Sequence, residues 1–305
     1  MRDHRSQVNT FWMQLQNACS QGEQMLEFCP LNRRTCINQG ETMDDKVLQP
    51  DDRDYVSALA SGLKVLLAFD AAHPRMTLSE VAARTTMDRA KARRFLLTLH
   101  SLGYMRRSGR QFELTPQVLQ LGHAYQASNQ YSAVIQHYLQ DITAELGESS
   151  SLTVLDGNDV VYVSRSAAPH RLMAITLVAG TRLPAAYTSM GRVLLAQMTD
   201  QALHDFVERV PLEPHTAFSI TAKEALREEI GKVRGQGYAM VDQELDLGLR
   251  SVAVPVFAGN GDLLGAINIS TNASRVPTQV LLNDYLPKLQ RVAQTVRSVI
   301  RSALG

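Results

Sequence analysis

Residues 87–107 read MDRAKARRFLLTLHSLGYMRR, with four cations in the first eight residues and five Leu or Phe residues in the next eight. Five apolar residues of this stretch lie on one arc of a helix with about 3.6 residues per turn, and the cations lie outside it. The apolar residues are Ala92, Phe95, Leu96, Leu99 and Leu102. The cations are Arg89, Lys91, Arg93 and Arg94. The pattern predicts a helix that anchors one half in a core and presents a basic N-terminal half to a partner.

Two helices are predicted on the N-terminal side of this stretch. Residues 55–70, YVSALASGLKVLLAFD, place leucines at helical spacing and predict an amphipathic helix. Its apolar side is formed by Leu59, Leu63, Leu66 and Leu67. After the break at HPR, Thr77 precedes Glu80 by three residues, the spacing of a capping box in which each side chain bonds the other residue's free backbone amide. A second, short helix is therefore predicted in TLSEVAART, residues 77–85.

A β-hairpin is predicted on the C-terminal side. GYMRR, residues 103–107, and QFELT, residues 111–115, alternate in the manner of strands and are joined by small turn residues. Helix, helix, turn, helix and hairpin is the order of a winged helix-turn-helix. In such modules the third helix enters the major groove and the hairpin lies along the backbone of the duplex. The predicted partner is double-stranded DNA.

The charge distribution supports a polyanionic partner, although the net charge of the chain is only +1. Residues 55–121 hold ten Lys or Arg against four Asp or Glu, while residues 1–54 hold six against nine and residues 122–305 fifteen against seventeen. An embedded basic module is typical of a nucleic-acid-binding domain, and charge alone fits a solvated basic face equally well. The order of elements favours DNA. The four helix cations then contact bases and phosphates, and Arg106, Arg107 and Arg110 of the hairpin contact phosphates.

Length and composition limit the class of protein. A chain of 305 residues, 45% hydrophobic, is long enough for two domains. It has no run of about 18 apolar residues and no secretory signal, so we expect a cytoplasmic, nucleoid-associated protein without a membrane partner. Cys19, Cys29 and Cys36 fit no common zinc spacing and are expected to be free thiols. Residues 1–54 lack periodicity and are predicted to be a flexible tail, with Met43 as a candidate natural start.

Beyond the basic module, the sequence predicts a linker helix and a second domain. The predicted boundaries are 55–117 for the winged helix-turn-helix, 118–130 for the linker helix and 131–305 for the second domain. Two hairpins are centred on Asp156-Gly157 and Asn260-Gly261, and helical patterns separate them. Hairpins interrupted by helices predict an α+β fold with an antiparallel sheet flanked by helices, as in small-molecule sensor domains.

An enzyme and an architectural DNA-binding protein are the alternatives. The eight histidines form no metal-binding pattern, and YTSMG has Thr where a nucleophile elbow has Gly, so no catalytic residue, metal or cofactor is predicted. The carboxylates of DQELD could act as acid and base or hold a divalent ion, but carboxylates on an exposed loop are more often only solvated. A purely architectural protein would leave the second domain without a task.

Four motifs in order resemble the isocitrate lyase regulator (IclR) family of bacterial transcription factors, over about residues 55–302. They are the helix-turn-helix segment TLSEVAARTTMDRAKARRFLLTLHSLGYM, GTRLPAAYTSMGRVLLA, GYAMVDQELDLGLRSVAVPV and GAINISTNASRV. The sequence is most similar to the branch that controls aromatic-acid breakdown through the β-ketoadipate pathway. The resemblance implies a GAF-like effector domain that binds a small carboxylate, in a homodimer or a dimer of dimers. A regulator of another carbon source in the same family is the runner-up.

The resemblance also implies an effector cavity bordered by two segments of this chain. The implied residues are Thr188, Ser189, Met190, Gly191, Val241, Asp242, Arg250 and Ser251, and Leu177 is a further effector-binding candidate as an apolar wall. Independently, amides at a helix N-terminus attract an anion, which makes Ser189 the foremost candidate. Arg250 could clamp a carboxylate, but Arg182 and Arg192 compete, and each could instead be a structural ion pair with a carboxylate of DQELD.

The effector is left open among protocatechuate, 4-hydroxybenzoate, β-ketoadipate and muconate. A monoanionic aromatic acid needs one cationic anchor and an apolar wall such as Met190 or Leu177, whereas a dicarboxylate needs two anchors. One departure from the family pattern concerns the turn before the third helix. Thr85-Thr86 stand where family members commonly have Gly, so strain is expected in that turn.

Overall fold

The computed structural model describes residues 48–129, 131–169 and 177–301. The chain divides into two compact units, residues 1–97 and 98–305, and each is described by itself. The three cysteines, Met43 and most of the predicted tail lie outside the described residues. None of the described helices is both long enough and apolar enough to cross a lipid bilayer.

The first unit contains the predicted helices, with α3 extending across the unit boundary. They are α1 (Ser57–Leu67), the short strand β1 (Met76–Thr77), α2 (Leu78–Thr85) and α3 (Arg89–Ser101). The capping box is confirmed: the Thr77 amide donates to Glu80 Oε2 at 2.6 Å, and the Glu80 amide donates to Thr77 Oγ1 at 3.4 Å. These bonds satisfy free amides of the first turn and fix the start of α2.

The face that α1 buries differs from the predicted one. Val65 is fully buried, whereas Leu59, Leu63 and Leu67 are exposed. The predicted helix is confirmed, but of the four leucines on its expected apolar side only Leu66 is partly buried. Gly62 lies close enough to Phe95 that an added Cβ would be 3.9 Å from its ring, so α1 packs on its small-residue side.

The turn between α2 and α3 has the expected strain. Thr86 follows α2 in the left-handed conformation, with φ 57° and ψ 35°. A β-branched residue is disfavoured there because its side chain crowds the following carbonyl. Lys64 Nζ donates to Thr86 Oγ1 at 3.0 Å and helps to hold the turn.

The predicted hairpin is present as β2 (Met105–Ser108) and β3 (Gln111–Leu114), which are antiparallel and joined through Gly109 at φ 58°. The three short strands form a sheet in the order β1-β3-β2. Two helices follow, α4 (Leu119–Ser128) and α5 (Tyr131–Leu146). The long helical pattern of residues 116–147 is therefore interrupted near Asn129, which has non-helical dihedral angles.

The second unit is built on a six-stranded antiparallel sheet in the order β6-β5-β4-β9-β8-β7. The strands are β4 (Ser149–Asp156), β5 (Asp159–Ser166), β6 (Arg182–Pro184), β7 (Ala239–Asp242), β8 (Leu249–Phe257) and β9 (Leu263–Asn272). Both predicted hairpins are confirmed, with Gly157 and Gly261 at positive φ in the turns.

Helices cover both faces of this sheet. They are α6 (Ser189–Leu195), α7 (Asp200–Arg209), α8 (Lys223–Gln236) and α9 (Leu286–Val299), the last preceded by Thr278–Val280 and the π-helical turn Leu281–Tyr285. One apolar cluster joins Tyr162 and Ala253 of the sheet to α6, α7 and α8. A second joins Val252 and Ile267 to α5 and α9. We call these sides the α6 face and the α5 face. The α+β prediction is confirmed.

Candidate functional site

The N-terminal half of α3 presents its cations to solvent. Arg89, Lys91, Arg93 and Arg94 are all exposed, while Ala92 and Leu96 are fully buried. Asp88 directly precedes the helix, and its Oδ1 accepts a hydrogen bond from the Lys91 amide at 2.7 Å. The core therefore leaves the cationic groups at the surface, where they can contact phosphates or base edges.

Among the residues that the structure describes, Arg106 of the hairpin forms an ion pair with a carboxylate, whereas Arg107 and Arg110 do not. Arg106 Nε donates to Glu113 Oε1 at 2.6 Å across the two strands, so its charge is partly neutralised. The guanidinium of Arg107 lies 5.9 Å from the centroid of the Phe112 ring, and its Nε donates to the Gly109 carbonyl. Arg110 is exposed in the turn between β2 and β3. Arg107 and Arg110 are thus better placed for phosphate contacts than Arg106.

In the second unit, the start of α6 meets strand β8. Thr188 caps α6 by accepting the Gly191 amide at 3.0 Å, and Ser189 Oγ donates to Ser251 Oγ at 2.9 Å. Both serines are buried. A Cβ on Gly191 would lie 2.0 Å from the Ala185 carbonyl oxygen, so only glycine fits there. The two segments expected to border one cavity are therefore brought into direct contact.

Ser251 belongs to a row of polar side chains across the α6 face. The pairing places Ser251 beside Ser270, and it places Asn268 beside Ser151 and Ser151 beside Arg165. Residues paired across strands, and residues two apart along a strand, share one face. We call this set the polar row: Arg165, Ser151, Asn268, Ser270 and Ser251. Polar groups thus cross a face that is otherwise apolar.

The polar row is only partly satisfied by its own hydrogen bonds. Arg165 Nη1 donates to Ser151 Oγ at 3.1 Å, and Asn268 Nδ2 donates to Ser270 Oγ at 2.8 Å. Asn268 Oδ1 and Thr153 Oγ1, on the same face, are buried and have no hydrogen-bond partner within the described residues. Buried polar groups without partners are rare, and a bound molecule is one way to satisfy them.

Arg165 is the cation of the polar row. Burial lowers its pKa from the usual value, while the neighbouring Tyr162 acts in the opposite direction. Burial also raises the pKa of Tyr162 to about 12. Within the described part of the chain, no carboxylate forms an ion pair with Arg165. A half-buried guanidinium without a counter-ion is a favourable place for a carboxylate.

A groove of about 500 Å³ lies beside β5, and Arg165 is one of its lining residues. Its lining includes Ser132 and Gln136 of α5, together with Leu177 and Val178. Ser132 Oγ is buried and has no partner among the described groups. The volume lies in the range of small-molecule sites, which are mostly apolar with a few placed polar groups.

The predicted anchor Arg250 lies elsewhere. Adjacent residues of a strand point to opposite faces, so Arg250 lies on the α5 face while Ser251 lies on the α6 face. Arg250 Nη2 donates to Asp242 Oδ2 at 2.7 Å, and its Nη1 donates to the Val276 carbonyl at 2.8 Å. The structure therefore brings Arg250 and Asp242 to each other and not to Ser189.

The two competing arginines are also in ion pairs. Arg192 is fully buried and binds both carboxylate oxygens of Glu244, at 2.7 and 2.6 Å. Arg182 donates to Asp156 at 2.6 Å and to Asp159 at 3.1 Å on the surface. The pairing of Arg192 with a carboxylate of DQELD agrees with the structural alternative.

The apolar candidates lie around the start of α6. Met190 is buried in the cluster of the α6 face, and Leu177 packs against that cluster from its edge. Val241 is buried and pairs with Ser251 on the same face. These side chains provide the apolar wall expected beside an aromatic ring or an alkyl chain.

The sequence analysis missed Arg165, Ser151, Thr153 and Asn268. A signal was present for the strand residues. Ser149, Ser151 and Thr153 place hydroxyls at every second position of β4, with Ser150 as an additional hydroxyl, and Asn and Ser alternate with isoleucines in INIS of β9. Polar residues at every second position of a buried strand mark a polar face. No group of three potential metal-binding His, Cys, Asp or Glu residues occurs among the residues that the structure describes.

Two family models match this chain, one over its helix-turn-helix segment and one over its C-terminal region. A model described as the IclR helix-turn-helix domain matches residues 58–109, and one described as the bacterial transcriptional regulator IclR C-terminal matches residues 123–298. The chain is 42% identical to the Pca regulon regulatory protein of Pseudomonas putida, over 78% of this chain and 82% of that protein.

Two further matches concern hydroxybenzoates. The p-hydroxybenzoate hydroxylase transcriptional activator of Acinetobacter baylyi is 34% identical, over 81% of this chain and 93% of that protein. The solved structure of a double mutant of the PobR inducer-binding domain from Acinetobacter, in complex with 3-hydroxybenzoic acid, is 31% identical with a TM-score of 0.52. That match covers 55% of this chain and 98% of the solved chain.

Proposed function

The chain belongs to the IclR family of bacterial transcriptional regulators, and we propose that it controls genes of aromatic-acid breakdown in response to a small carboxylic acid. The family confirms two predictions, that of a winged helix-turn-helix regulator and that of a protein without catalytic activity. The relatives named for the Pca regulon and for p-hydroxybenzoate hydroxylase support the aromatic branch.

The proposed DNA contacts follow from exposure and charge. Arg89, Lys91, Arg93 and Arg94 of α3 contact base edges and phosphates in the major groove, and Arg107 and Arg110 contact phosphates from the hairpin. Each protomer offers one such helix. A homodimer or a dimer of dimers therefore binds a site with repeated half-sites about one helical turn apart.

The effector proposal rests on one observation: Arg165 is half-buried beside the polar row without a carboxylate partner in the described residues. We assign it the effector carboxylate. Ser151, Asn268 and the Ser189–Ser251 pair then bond the remaining polar groups of the effector, and Met190 and Leu177 pack against its carbon skeleton. Effector binding shifts the population of DNA-binding states by its different affinity for each state.

A fluorescence-anisotropy titration against the upstream DNA at fixed salt tests the proposal. The wild type is compared with Arg165→Gln and Arg250→Gln, each with protocatechuate, 4-hydroxybenzoate, β-ketoadipate and muconate. We expect one acid to shift DNA affinity. Arg165→Gln should weaken that response by about 30-fold or more, because a desolvated charge pair contributes about 2 kcal/mol or more.

Each outcome of the titration tests a different part of the proposal. Loss of the response only in Arg250→Gln would assign the carboxylate to Arg250 and overturn the assignment to Arg165. DNA binding that none of the four acids shifts would point to a regulator of another carbon source. Absence of DNA binding in the wild type would contradict the interpretation of α3.

A further inference from the structure

Helix α6 is unusual in having no exposed residue. All seven residues from Ser189 to Leu195 are buried, including the charged Arg192. Ser189 starts the helix and donates to Ser251, while Arg192 lies one turn further on. The same helix therefore carries one residue of the proposed effector site and one ion pair that this site does not use.

All three guanidinium nitrogens of Arg192 donate hydrogen bonds. Both terminal nitrogens of Arg192 donate to Glu244, at 2.7 and 2.6 Å, and its Nε donates to the Ala186 carbonyl at 3.0 Å. Glu244 Oε2 also accepts from the Ile220 amide at 3.2 Å. A bidentate geometry of this kind fixes the orientation as well as the distance of the two groups.

Two hydroxyl side chains of the segment before α8 also bond the loop that carries Glu244. Ser219 Oγ donates to the Glu244 carbonyl at 2.6 Å, and Thr216 Oγ1 donates to the Gln243 carbonyl at 2.6 Å. Within the loop, Gln243 has φ 60°, and its side-chain oxygen accepts the Gly248 amide at 3.0 Å. Residues 243–248 thus form a fixed connection between β7 and β8.

Two contacts consequently tie α6 to one segment of the sheet. The Arg192–Glu244 pair joins α6 to the loop before β8, and the Ser189–Ser251 bond joins it to β8 itself. A small shift of α6 would break the two short bonds to Glu244. The buried guanidinium would keep only Glu229 of α8, whose Oε1 lies 4.0 Å from Nη1, and loss of the closer carboxylate is costly. The ion pair therefore permits one position of the helix and of the serine at its start.

We propose that Arg192 and Glu244 are positioning residues of the effector site, which hold α6 so that Ser189 meets Ser251. This inference rests on the proposed function, because it concerns the same site. Neither residue contacts the effector. They set the geometry of the hydroxyl pair at one end of the polar row, and through it the affinity for the acid.

The test uses the full-length protein with Arg192→Lys, which keeps the charge but cannot form the two parallel bonds. Glu244→Asp is the second variant, because it keeps the carboxylate and shortens its reach. The control is Arg275→Lys, the same substitution in another arginine–glutamate ion pair. Arg275 Nη2 donates to both carboxylate oxygens of the buried Glu148, at 2.6 and 2.8 Å, and Arg275 lies on a segment that does not carry Ser189.

Three quantities are measured for each protein: affinity for the four acids, affinity for operator DNA without acid, and amide hydrogen exchange of residues 188–195 without acid. We expect Arg192→Lys and Glu244→Asp to weaken acid binding at least about tenfold and to accelerate exchange in residues 188–195 by a similar factor. Operator affinity should stay within about twofold, and Arg275→Lys should change none of the three.

Unchanged exchange in both variants would overturn the positioning role, even if no acid binds. Faster exchange with unchanged acid affinity would overturn the link between the ion pair and the effector. If the wild type binds no acid, the proposed effector function fails, and the exchange result still decides whether the pair positions α6. If Arg192→Lys does not fold, Glu244→Asp decides the same points.

Discussion

Helices α3 and α6 both carry candidate functional residues in their N-terminal halves, in opposite environments. In α3, the cations are exposed and only one side of the helix enters the core. In α6, every residue is buried, and Ser189 and Arg192 contact residues 62 and 52 positions away. We propose that α3 contacts DNA and that α6 contributes to the binding of a small-molecule effector.

The difference shows how tolerant each site is to change. Side chains of α3 that face water make fewer packing contacts than buried ones, so substitutions there act mainly on function. Side chains of α6 are packed on all sides, and protein interiors are close-packed. A substitution in α6 therefore acts on stability and on binding together, and only matched controls separate the two.

The largest effect is expected from Gly191→Ala, which challenges the packing of α6. The added methyl group would lie 2.0 Å from the Ala185 carbonyl oxygen, so the backbone must move. We expect a loss of about 3 kcal/mol in the free energy of unfolding, measured by chemical denaturation. The control is Gly231→Ala in α8, where an added Cβ meets no atom within 4 Å. Gly231→Ala should be neutral or stabilising by up to about 1 kcal/mol, and equal losses in both variants would contradict the tight packing of α6.

A smaller effect, on DNA binding and not on stability, is expected from Arg93→Ala, which tests the proposed contact of α3 with DNA. Removing one contact to DNA should weaken operator binding by about 1–3 kcal/mol, or roughly 5-fold to 160-fold, at fixed salt. The melting temperature should not change, because Arg93 is exposed. Arg297→Ala, an exposed arginine of α9, controls for the lost charge. A similar loss of affinity in Arg297→Ala would refute a specific role for α3.

A gain of about 1 kcal/mol is expected from Thr86→Asn at the turn before α3. Asn tolerates the left-handed conformation better than a β-branched residue does. Thermal denaturation of the full chain measures the change. Thr86→Gly should gain less, because glycine adds entropy to the unfolded chain. If Thr86→Asn lowers the melting temperature, the bond from Lys64 to Thr86 outweighs the relief of strain.

The smallest effect concerns the capping box that starts α2. The backbone amide of Thr77, followed by its side chain, holds the pKa of Glu80 below the ordinary value of 4.5. The ionised Glu80 therefore stabilises the fold above that value, and its contribution is lost as the pH falls through the lowered pKa. Glu80→Gln should remove this part of the acid dependence. The melting temperatures of the two proteins, compared from about pH 7 to pH 3, should converge at the acid end, and a constant difference would count against the assignment.

Local features of the sequence predicted the DNA-binding module well. Thr77 and Glu80 act on each other three residues apart, and the cations and apolar residues of α3 are separated by helical periodicity. Most leucines on the expected apolar side of α1 are exposed. Amphipathic spacing does not tell which of two apolar sides of a helix packs against its neighbours when small residues allow a closer approach. Val65 and Gly62 decide that, and only the neighbouring helices show it.

The candidate effector site was predicted only in part. The sequence and its family resemblance indicated Ser189 and Ser251, which are in contact, and they indicated Arg250, which lies on the other face of the sheet. The face of a strand residue depends on register, which the alternating pattern of β8 leaves ambiguous when both faces are buried. The proposed role of Arg165 could not be read from the sequence, because it rests on the burial of Arg165 and on its having no ion pair with a carboxylate of the described residues.

The sequence by itself determined the order of helices and hairpins, the basic surface of α3, the cap of α2 and the family to which the chain belongs. Each depends on interactions between residues a few positions apart, or on motifs that need no coordinates. The tertiary structure alone decided which arginines are paired and which polar groups share a face. Several of those facts join residues more than fifty positions apart, such as Arg192 with Glu244 and Ser189 with Ser251, and they follow from sheet register and close packing.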